Sequence, residues 1–329
     1  MNRNQVDALL VQHGAALFWP RAVMGKMDNA GKLPLPDGRG GSNVTADAVR
    51  QRIRLVVSRA PVAVVKITGT ATGMSAIRAH LRYITERGEV LRDDQGQEYR
   101  TPEDVKFFGD QFQYAGPPIP TEGQQRESFQ IVFDMPPGTP SVAVREAVAK
   151  VAAREFAGHK WALAYHAHQR HPHVHLLVRA RGRTAQRLDP RKADLRRWRE
   201  DFAQELRALG VPAQANSWLA RGSVQRVEPL WLKRAREAGT LRQEPILKGR
   251  VTSREQTMHR VITAWAYLHA ALVESPDAAD RALAGEVKAF VKGTPMMGHV
   301  VGLELERQQD LQRQPAPQPN IEQEPGPGW

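Results

Sequence analysis

The chain contains no cysteine. That absence excludes a disulfide scaffold, a thiolate zinc site, an iron–sulfur cluster and a cysteine nucleophile, so any metal must be held by His, Asp or Glu. Long apolar runs are missing too: no stretch approaches the ~18 residues that argue for a membrane span. The opening residues Met1–Asp7 lack the apolar segment of a secretory signal. The expectation is a soluble, cytoplasmic chain with no membrane insertion. Acidic residues are outnumbered, 35 Asp+Glu against 47 Lys+Arg, for a formal charge of +12. A surface this basic suits a polyanionic partner, with nucleic acid ahead of an anionic membrane. Aromatics make up 6% of the chain and include five tyrosines, so few phenols compete for a chemical role.

What is present suffices for a core. A 41% apolar share over 329 residues predicts one main domain with appendages. A short amphipathic helix is expected over Gln5–His13 and a loop over Asn29–Asn43. Val62–Ile67 is apolar and β-branched, as a buried strand would be, and Gly69–Gly73 is expected to break it. Met74–Ile84 has helical spacing, with Ile77, Leu81 and Ile84 on one face. Residues 88–125 are polar and rich in Gly and Pro, and the expectation there is a long irregular segment.

Ser128–Phe133 alternates like a strand, and Val142–Phe156 carries an Ala/Val face like a helix. Trp161–His166 and Val174–Arg179 are two further strands, joined by a connection short enough for a hairpin. Asp189-Pro-Arg is expected to open a helix with an acidic cap and Pro at the first position, running to about Leu209 and ending at Gly210. Helices are expected over 253–293 with a break near Pro276, and the Pro-rich tail reads as disordered. The order strand, helix, strand, helix, strand, strand, helix predicts an α+β fold: a small antiparallel sheet flanked by helices, with a helical C-terminal extension. The predicted divisions are an N-terminal extension over 1–55, the main domain over 56–222, a helical extension over 223–310 and a disordered tail over 311–329.

Five of the eleven histidines fall within ten residues: His166, His168, His171, His173 and His175. On a strand alternate side chains share a face, so His173 and His175 project together while Val174 points into the core. His166 and His168 share a face of the preceding strand, and a hairpin would converge imidazoles from both strands. Several neutral imidazoles on one face, with coordination positions left open, describe a divalent metal site. Imidazoles suit zinc, manganese, nickel or copper by affinity, and magnesium where a phosphate completes its shell. Polarising a phosphodiester is the natural task of such an ion beside nucleic acid.

Downstream of the cluster, ten basic side chains stand against two aspartates in the thirty residues 170–199. Arg170, Arg179, Arg181, Arg183, Arg187, Arg191 and Lys192 are the candidate phosphate contacts, since Arg forks grip phosphate bidentately. Tyr83 stands in His80-Leu-Arg-Tyr-Ile-Thr-Glu-Arg87, among polar and basic residues that include Arg82 and Arg87. A free phenol attacks poorly unless cations or a base draw off its proton.

Three segments, in order, carry a resemblance. Trp161-Ala-Leu-Ala-Tyr-His-Ala-His-Gln-Arg-His-Pro-His-Val-His-Leu-Leu-Val178 resembles the metal motif of conjugative relaxases, the mobilisation nucleases of the HUH endonuclease superfamily. Asp189–Ala203 is similar to the segment that follows that motif in many members, and His80–Gly88 to the segment bearing the catalytic tyrosine. The likeness spans about residues 62–222. It implies a palm-like sheet and attack by Tyr83 on the scissile phosphate of one strand at a transfer origin of a plasmid or integrative element. The products are a 5′-phosphotyrosyl adduct and a free 3′-hydroxyl, and reversal rejoins the strand.

By position the resemblance makes His166, His173 and His175 the metal triad and demotes His171 to support. It implies Mg2+ or Mn2+ in use, with Zn2+ or Ni2+ as alternatives. The implied partners are single-stranded DNA, accessory relaxosome proteins and a type IV secretion coupling protein, in a bacterial cytoplasm. Two departures stand out. His168 occupies the position where the family commonly has Asp, leaving it as a base, an orienter or a further ligand without negative charge. Asp134 occupies a position where many members have a DNA-contacting Ser, and a carboxylate there would restore the charge lost at 168 if it faced the metal.

Other readings remain open at this level. A rolling-circle replication initiator or transposase of the same superfamily would share the chemistry. A DNA-binding relative with a drifted active site would keep only the surface. A histidine-triad nucleotide hydrolase would use His171-Pro-His-Val-His175 without metal.

Overall fold

The computed structural model describes residues 1–19, 44–166, 171–216, 220–223, 235–236, 238–240 and 251–302. His168, Arg170, the expected loop over 29–43 and the tail lie outside the described residues. The fold is α+β. Its centre is a six-stranded antiparallel sheet in the order β1-β4-β6-β5-β2-β3. In chain order the strands are β1 (Val64–Ala71), β2 (Leu91–Asp93), β3 (Glu98–Tyr99), β4 (Ser128–Asp134), β5 (Trp161–His166) and β6 (His173–Arg179). The described helices are α1 (Arg3–Phe18), α2 (Ala46–Val57), α3 (Met74–Ile84), α4 (Pro102–Tyr114), α5 (Ser141–Glu155), α6 (Lys192–Ala208), α7 (Val251–Val273) and α8 (Ala278–Lys292).

Side-chain alternation assigns the two sheet faces to different helical layers. Phe129, Ile131, Phe133, Leu163, Val174, Leu176 and Val178 pack with Val148 of α5 and with Trp198 and Phe202 of α6. The opposite face offers Ala162, Ala164 and Leu177 to Ile77 and Leu81 of α3 and to Phe108 and Phe112 of α4. Each large apolar side chain removed from water contributes about 1.5–3 kcal/mol, so both layers are held by burial of one stripe per helix. The histidines stand on the α3/α4 face, where the ladder aligns Asp134, His173 and His166 in one row and Val132, His175 and Ala164 in the next.

The helix α3 is fixed at both ends. Its first-turn amides, Met74 N and Ser75 N, donate to the carbonyls of Pro120 and Thr121 at 2.9 and 3.1 Å. A Cβ at Gly73 would lie 2.4 Å from Thr121 O, so this close approach requires glycine there. At the other end Thr85 Oγ1 donates to Leu81 O at 2.8 Å.

Three expectations need correction. Residues 88–125 are not one irregular segment, since they contain β2, β3 and the thirteen-residue α4. The flanking Gly and Pro obscure a strong start signal: Thr101 and Asp104 form a capping box, Pro102 opens the helix, and Val105, Phe108 and Phe112 supply the buried stripe. The strand β1 is not broken at Gly69; it shifts register between Ile67 and Gly69 and continues to Ala71. Asp189 does not cap α6. The cap residue is Arg191, whose backbone N–H donates to Asp194 Oδ2 at 2.8 Å, while Asp189 pairs with the Arg191 guanidinium. The break near Pro276 lies between α7 and α8, and α6 ends at Leu209–Gly210, both as expected.

Helices α1, α2, α7 and α8 share a second core of Val6, Leu10, Val49, Ile53, Trp265, Leu268, Val287 and their neighbours. A buried ion cluster crosses it. Arg50 of α2 bonds Asp280 of α8 through two nitrogens, each at 2.8 Å, and Asp7 of α1 at 2.7 Å. Ser275 Oγ donates to Asp280 Oδ2 at 2.8 Å. The bond from Arg50 holds the Asp280 carboxyl below its ordinary pKa. Removing one member of a buried pair strands the other charge, a cost of about 3–5 kcal/mol. Asp280→Ala is therefore expected to destabilise the protein by that amount in urea unfolding, with the mid-point measured by circular dichroism. Because the folded pKa is depressed, the stabilisation is complete above the ordinary carboxylate range and is lost as pH falls through the lower folded value. An acid-unfolding midpoint identical in wild type and Asp280→Asn would contradict this.

Candidate active site

The site sits where β4 ends, β5 ends and β6 begins, against the last turn of α3. One donor nitrogen from each of His166, His173 and His175 lies within 4.8 Å of the others. The ring centroids of His166 and His175 are 4.4 Å apart, those of His173 and His175 5.1 Å, and those of His166 and His173 5.0 Å. The strand register creates this convergence: His166 is the direct cross-strand partner of His173, and His175 follows two residues later on the same face.

The protons on two of these rings are assigned by their hydrogen bonds. His166 Nε2 donates to Ile84 O at 3.1 Å, so its lone pair is on Nδ1. His173 Nδ1 donates to His171 O at 2.9 Å, which leaves its lone pair on Nε2. Burial, reinforced by His166, His173 and His80, pushes the His175 pKa down to about 3, so that ring is neutral at physiological pH. Two imidazoles held in fixed tautomers by carbonyl acceptors, beside the neutral His175, fit a divalent cation, because the carbonyls orient those two ligand rings. His171 itself is exposed and serves through its backbone carbonyl.

Tyr83 is 57% exposed, and its ring centroid lies 6.2 Å from that of His175 with the planes at 89°. His80 sits one turn earlier on α3, 6.2 Å from the Tyr83 ring and 6.3 Å from His175. The sequence reading missed His80, although its i−3 spacing from Tyr83 places both on neighbouring parts of one helical face. Its Nε2 is buried with no hydrogen-bond partner among the described residues, and burial followed by His166 lowers its pKa to about 4. Asp134 stands in the same row as His173 and His166, on the histidine face, and its Oδ1 is likewise buried without a hydrogen-bond partner among the described residues.

The basic residues divide into two places. Arg82 and Arg87 are exposed beside Tyr83. The downstream group is not next to the histidines. Arg181 lies six residues past His175, about 20 Å along the strand direction, at the opposite end of the sheet. Arg179 is fully buried. Its guanidinium donates to the carbonyls of Phe112 at 3.0 Å, Arg181 at 2.7 Å, Gln113 at 3.4 Å and Pro117, so it closes the C-terminal end of α4 and has no surface for DNA. Sequence alone could not separate this arginine from its neighbours, since it ends a strand whose preceding residues are apolar. Arg181 donates to Gln125 Oε1 at 2.5 Å, Arg183 pairs with Asp94 at 3.1 Å and Arg187 donates to Arg126 O at 3.1 Å. Lys192 and Arg191 are exposed at the start of α6.

A histidine triad on an antiparallel sheet is thus faced by a tyrosine from a flanking helix, with Arg82 and Arg87 exposed on the same stretch of chain. Residues 87–209 match the family described as Relaxase: MobA/VirD2-like, nuclease domain. This segment is a relaxase nuclease domain of the HUH superfamily; it holds all three triad histidines, and Tyr83 stands just ahead of it. Such a domain nicks DNA and binds single strands. No curated protein matches the chain. Among the described residues no helix is long and apolar enough to cross a membrane.

Manganese chloride added without DNA is expected to raise the thermal midpoint, by about 2.7 kcal/mol of stabilisation at a hundredfold excess over Kd. His173→Ala and His175→Ala are expected to lose that rise. An equal manganese response in both variants would rule out the triad as the binding site.

Proposed function

We propose that this protein cuts and rejoins one DNA strand at a transfer origin, initiating conjugative transfer of a plasmid or integrative element. The observation that carries the reading is the placement of an exposed phenol, Tyr83, with its ring centroid 6.2 Å from that of His175 in the triad. His166, His173 and His175 would hold a divalent cation, Mg2+ or Mn2+, with Zn2+ or Ni2+ able to occupy the same imidazoles. That ion, when bound, supplies Lewis-acid polarisation of the scissile phosphate.

The chain's own residues do the rest. The Tyr83 oxygen forms a bond to phosphorus as its proton departs, and the bond from phosphorus to the 3′-oxygen breaks. The product is a 5′-phosphotyrosyl adduct, and the leaving 3′-oxygen takes up a proton. Arg82 and Arg87 balance phosphate charge beside the phenol. His168 takes the role of proton acceptor or ring orienter in this reading, in place of the family's Asp. Phosphotyrosine linkage conserves the energy of the phosphodiester, so attack by the free 3′-hydroxyl reverses the step and rejoins the strand.

The other partners follow from this reading: accessory relaxosome proteins and a secretion coupling protein, in a bacterial cytoplasm. Incubation with labelled origin oligonucleotide and manganese is expected to yield an SDS-stable protein–DNA adduct with wild type, and none with Tyr83→Phe. His173→Ala should reduce the yield by at least the 10- to 100-fold typical of disturbed metal sites. An adduct that persists in Tyr83→Phe would move the nucleophile elsewhere.

Asp134 enters the same scheme as the carboxylate that compensates for His168. Its row on the sheet and its buried, unsatisfied oxygen support a role toward the cation or its ligand His173. Asp134→Ser is expected to weaken manganese binding about 10- to 100-fold in calorimetric titration. Unchanged affinity would remove Asp134 from the site.

A further inference from the structure

His80 stands one turn before Tyr83 on α3 and has no part in the chemistry assigned above. Its ring centroid lies 6.2 Å from that of Tyr83 and 6.3 Å from that of His175, while Tyr83 and His175 are 6.2 Å apart. The three rings therefore make a near-equilateral triangle. Two corners share one face of α3, and the third is on β6 opposite. The His80 ring is half-buried, and its Nε2 has no hydrogen-bond partner among the described residues. Even the hydroxyl of Tyr83, on the next turn, does not bond it. A buried polar nitrogen without a partner costs stability, and native folds keep such groups mainly where something other than the chain completes the bond.

The spacing narrows what that something is. The triad centroids are 4.4, 5.0 and 5.1 Å apart, and their donor atoms fall within 4.8 Å of one another. His80 is outside that set. It stands next to the ligand positions without being one of them. An imidazole–metal bond is about 2.1 Å long, whereas a hydrogen bond spans about 2.7–3.2 Å between heavy atoms. A ring in this place suits an oxygen held beside the cation better than the cation itself. The third corner, Tyr83, is the group that the proposed reaction brings against phosphorus. Attack by the phenol raises the charge on both non-bridging oxygens of the phosphate. A cation can neutralise one of them, and the other needs a donor from the chain.

We infer that His80 is a further catalytic residue, donating from Nε2 to a non-bridging oxygen of the scissile phosphate between the phenol and the triad. The inference rests on the relaxase reading with Tyr83 as nucleophile, and it supplies a donor that none of the three sequence motifs assigns. Nucleophile and donor sit three residues apart on one helix, so the helix itself sets the distance between the attacking oxygen and the stabilising N–H.

Rates of adduct formation on the labelled origin oligonucleotide, with manganese affinity by calorimetry, test this on the full chain. His80→Ala is expected to slow the adduct about 10- to 100-fold, the range for one lost hydrogen bond to a charged group, with manganese affinity unchanged. His80→Gln, which returns an N–H at similar reach, is expected to recover most of the rate. Sulfur in place of one non-bridging oxygen at the cut phosphate weakens the same bond. The penalty that one sulfur diastereomer imposes on wild type is therefore expected to vanish in His80→Ala. A manganese affinity reduced as in His173→Ala makes His80 a fourth ligand and overturns the inference. So do equal sulfur penalties in wild type and His80→Ala, or a Gln variant as slow as Ala. An adduct lost in Tyr83→Phe but formed at the wild-type rate by His80→Ala overturns the role of His80 alone. A wild type that forms no adduct overturns the Tyr83 reading and the role of His80 with it.

Discussion

A single buried hydrogen bond joins the two halves of the chemistry. His166 Nε2 donates to the carbonyl of Ile84, the last residue of α3, across a sequence separation of 82 residues. The bond determines which nitrogen of His166 carries a lone pair, and it pins the end of the helix that bears Tyr83 to the end of the strand that bears His166. The phenol and the imidazole cluster come from adjacent layers, a helix and the sheet face it covers, and this bond ties the two together. The backbone bonds from Met74 and Ser75 to the carbonyls of Pro120 and Thr121 fix the far end of the same helix. With both ends tied, the position of Tyr83 is set at one end by a triad histidine and at the other by backbone bonds outside the site.

The sheet then acts as a ruler. Antiparallel pairing puts Asp134, His173 and His166 in one row and His175 in the next, so the spacing of the cluster follows from strand geometry. The opposite end of the same strands is a structural anchor. There Arg179 donates from its guanidinium to carbonyls around the end of α4, which holds that helix against the sheet.

Much of this was legible before any coordinates. Met74, Ile77, Leu81 and Ile84 at helical spacing gave α3 its bounds, and the His-x-His alternation gave β6 its exposed face. The hidden parts share a physical cause: local signals were outweighed by long-range ones. The Gly- and Pro-rich flanks of α4 concealed a capping box, and Asp189-Pro resembled a cap that Asp194 supplies from inside the helix. The burial of Arg179 depends on carbonyls more than sixty residues away, and the sequence around it reads as one basic run. His80 carries no local signal of a role in the sequence around it. Only the approach of α3 to β6 brings it beside His175.

The second core has a consequence for synthesis. Its helices α1 and α2 emerge from the ribosome before the sheet, yet their apolar faces are covered by α7 and α8, made after it. At about 5–20 residues per second, tens of seconds separate the two pairs. The sheet, whose strands all lie between them, can close in that interval. The early helices meanwhile present uncovered apolar surface to the cell, and Arg50 waits for Asp280. The sheet thus has time to form before the bundle that brackets it is complete, and a chain stalled between them would carry two helices with uncovered apolar faces.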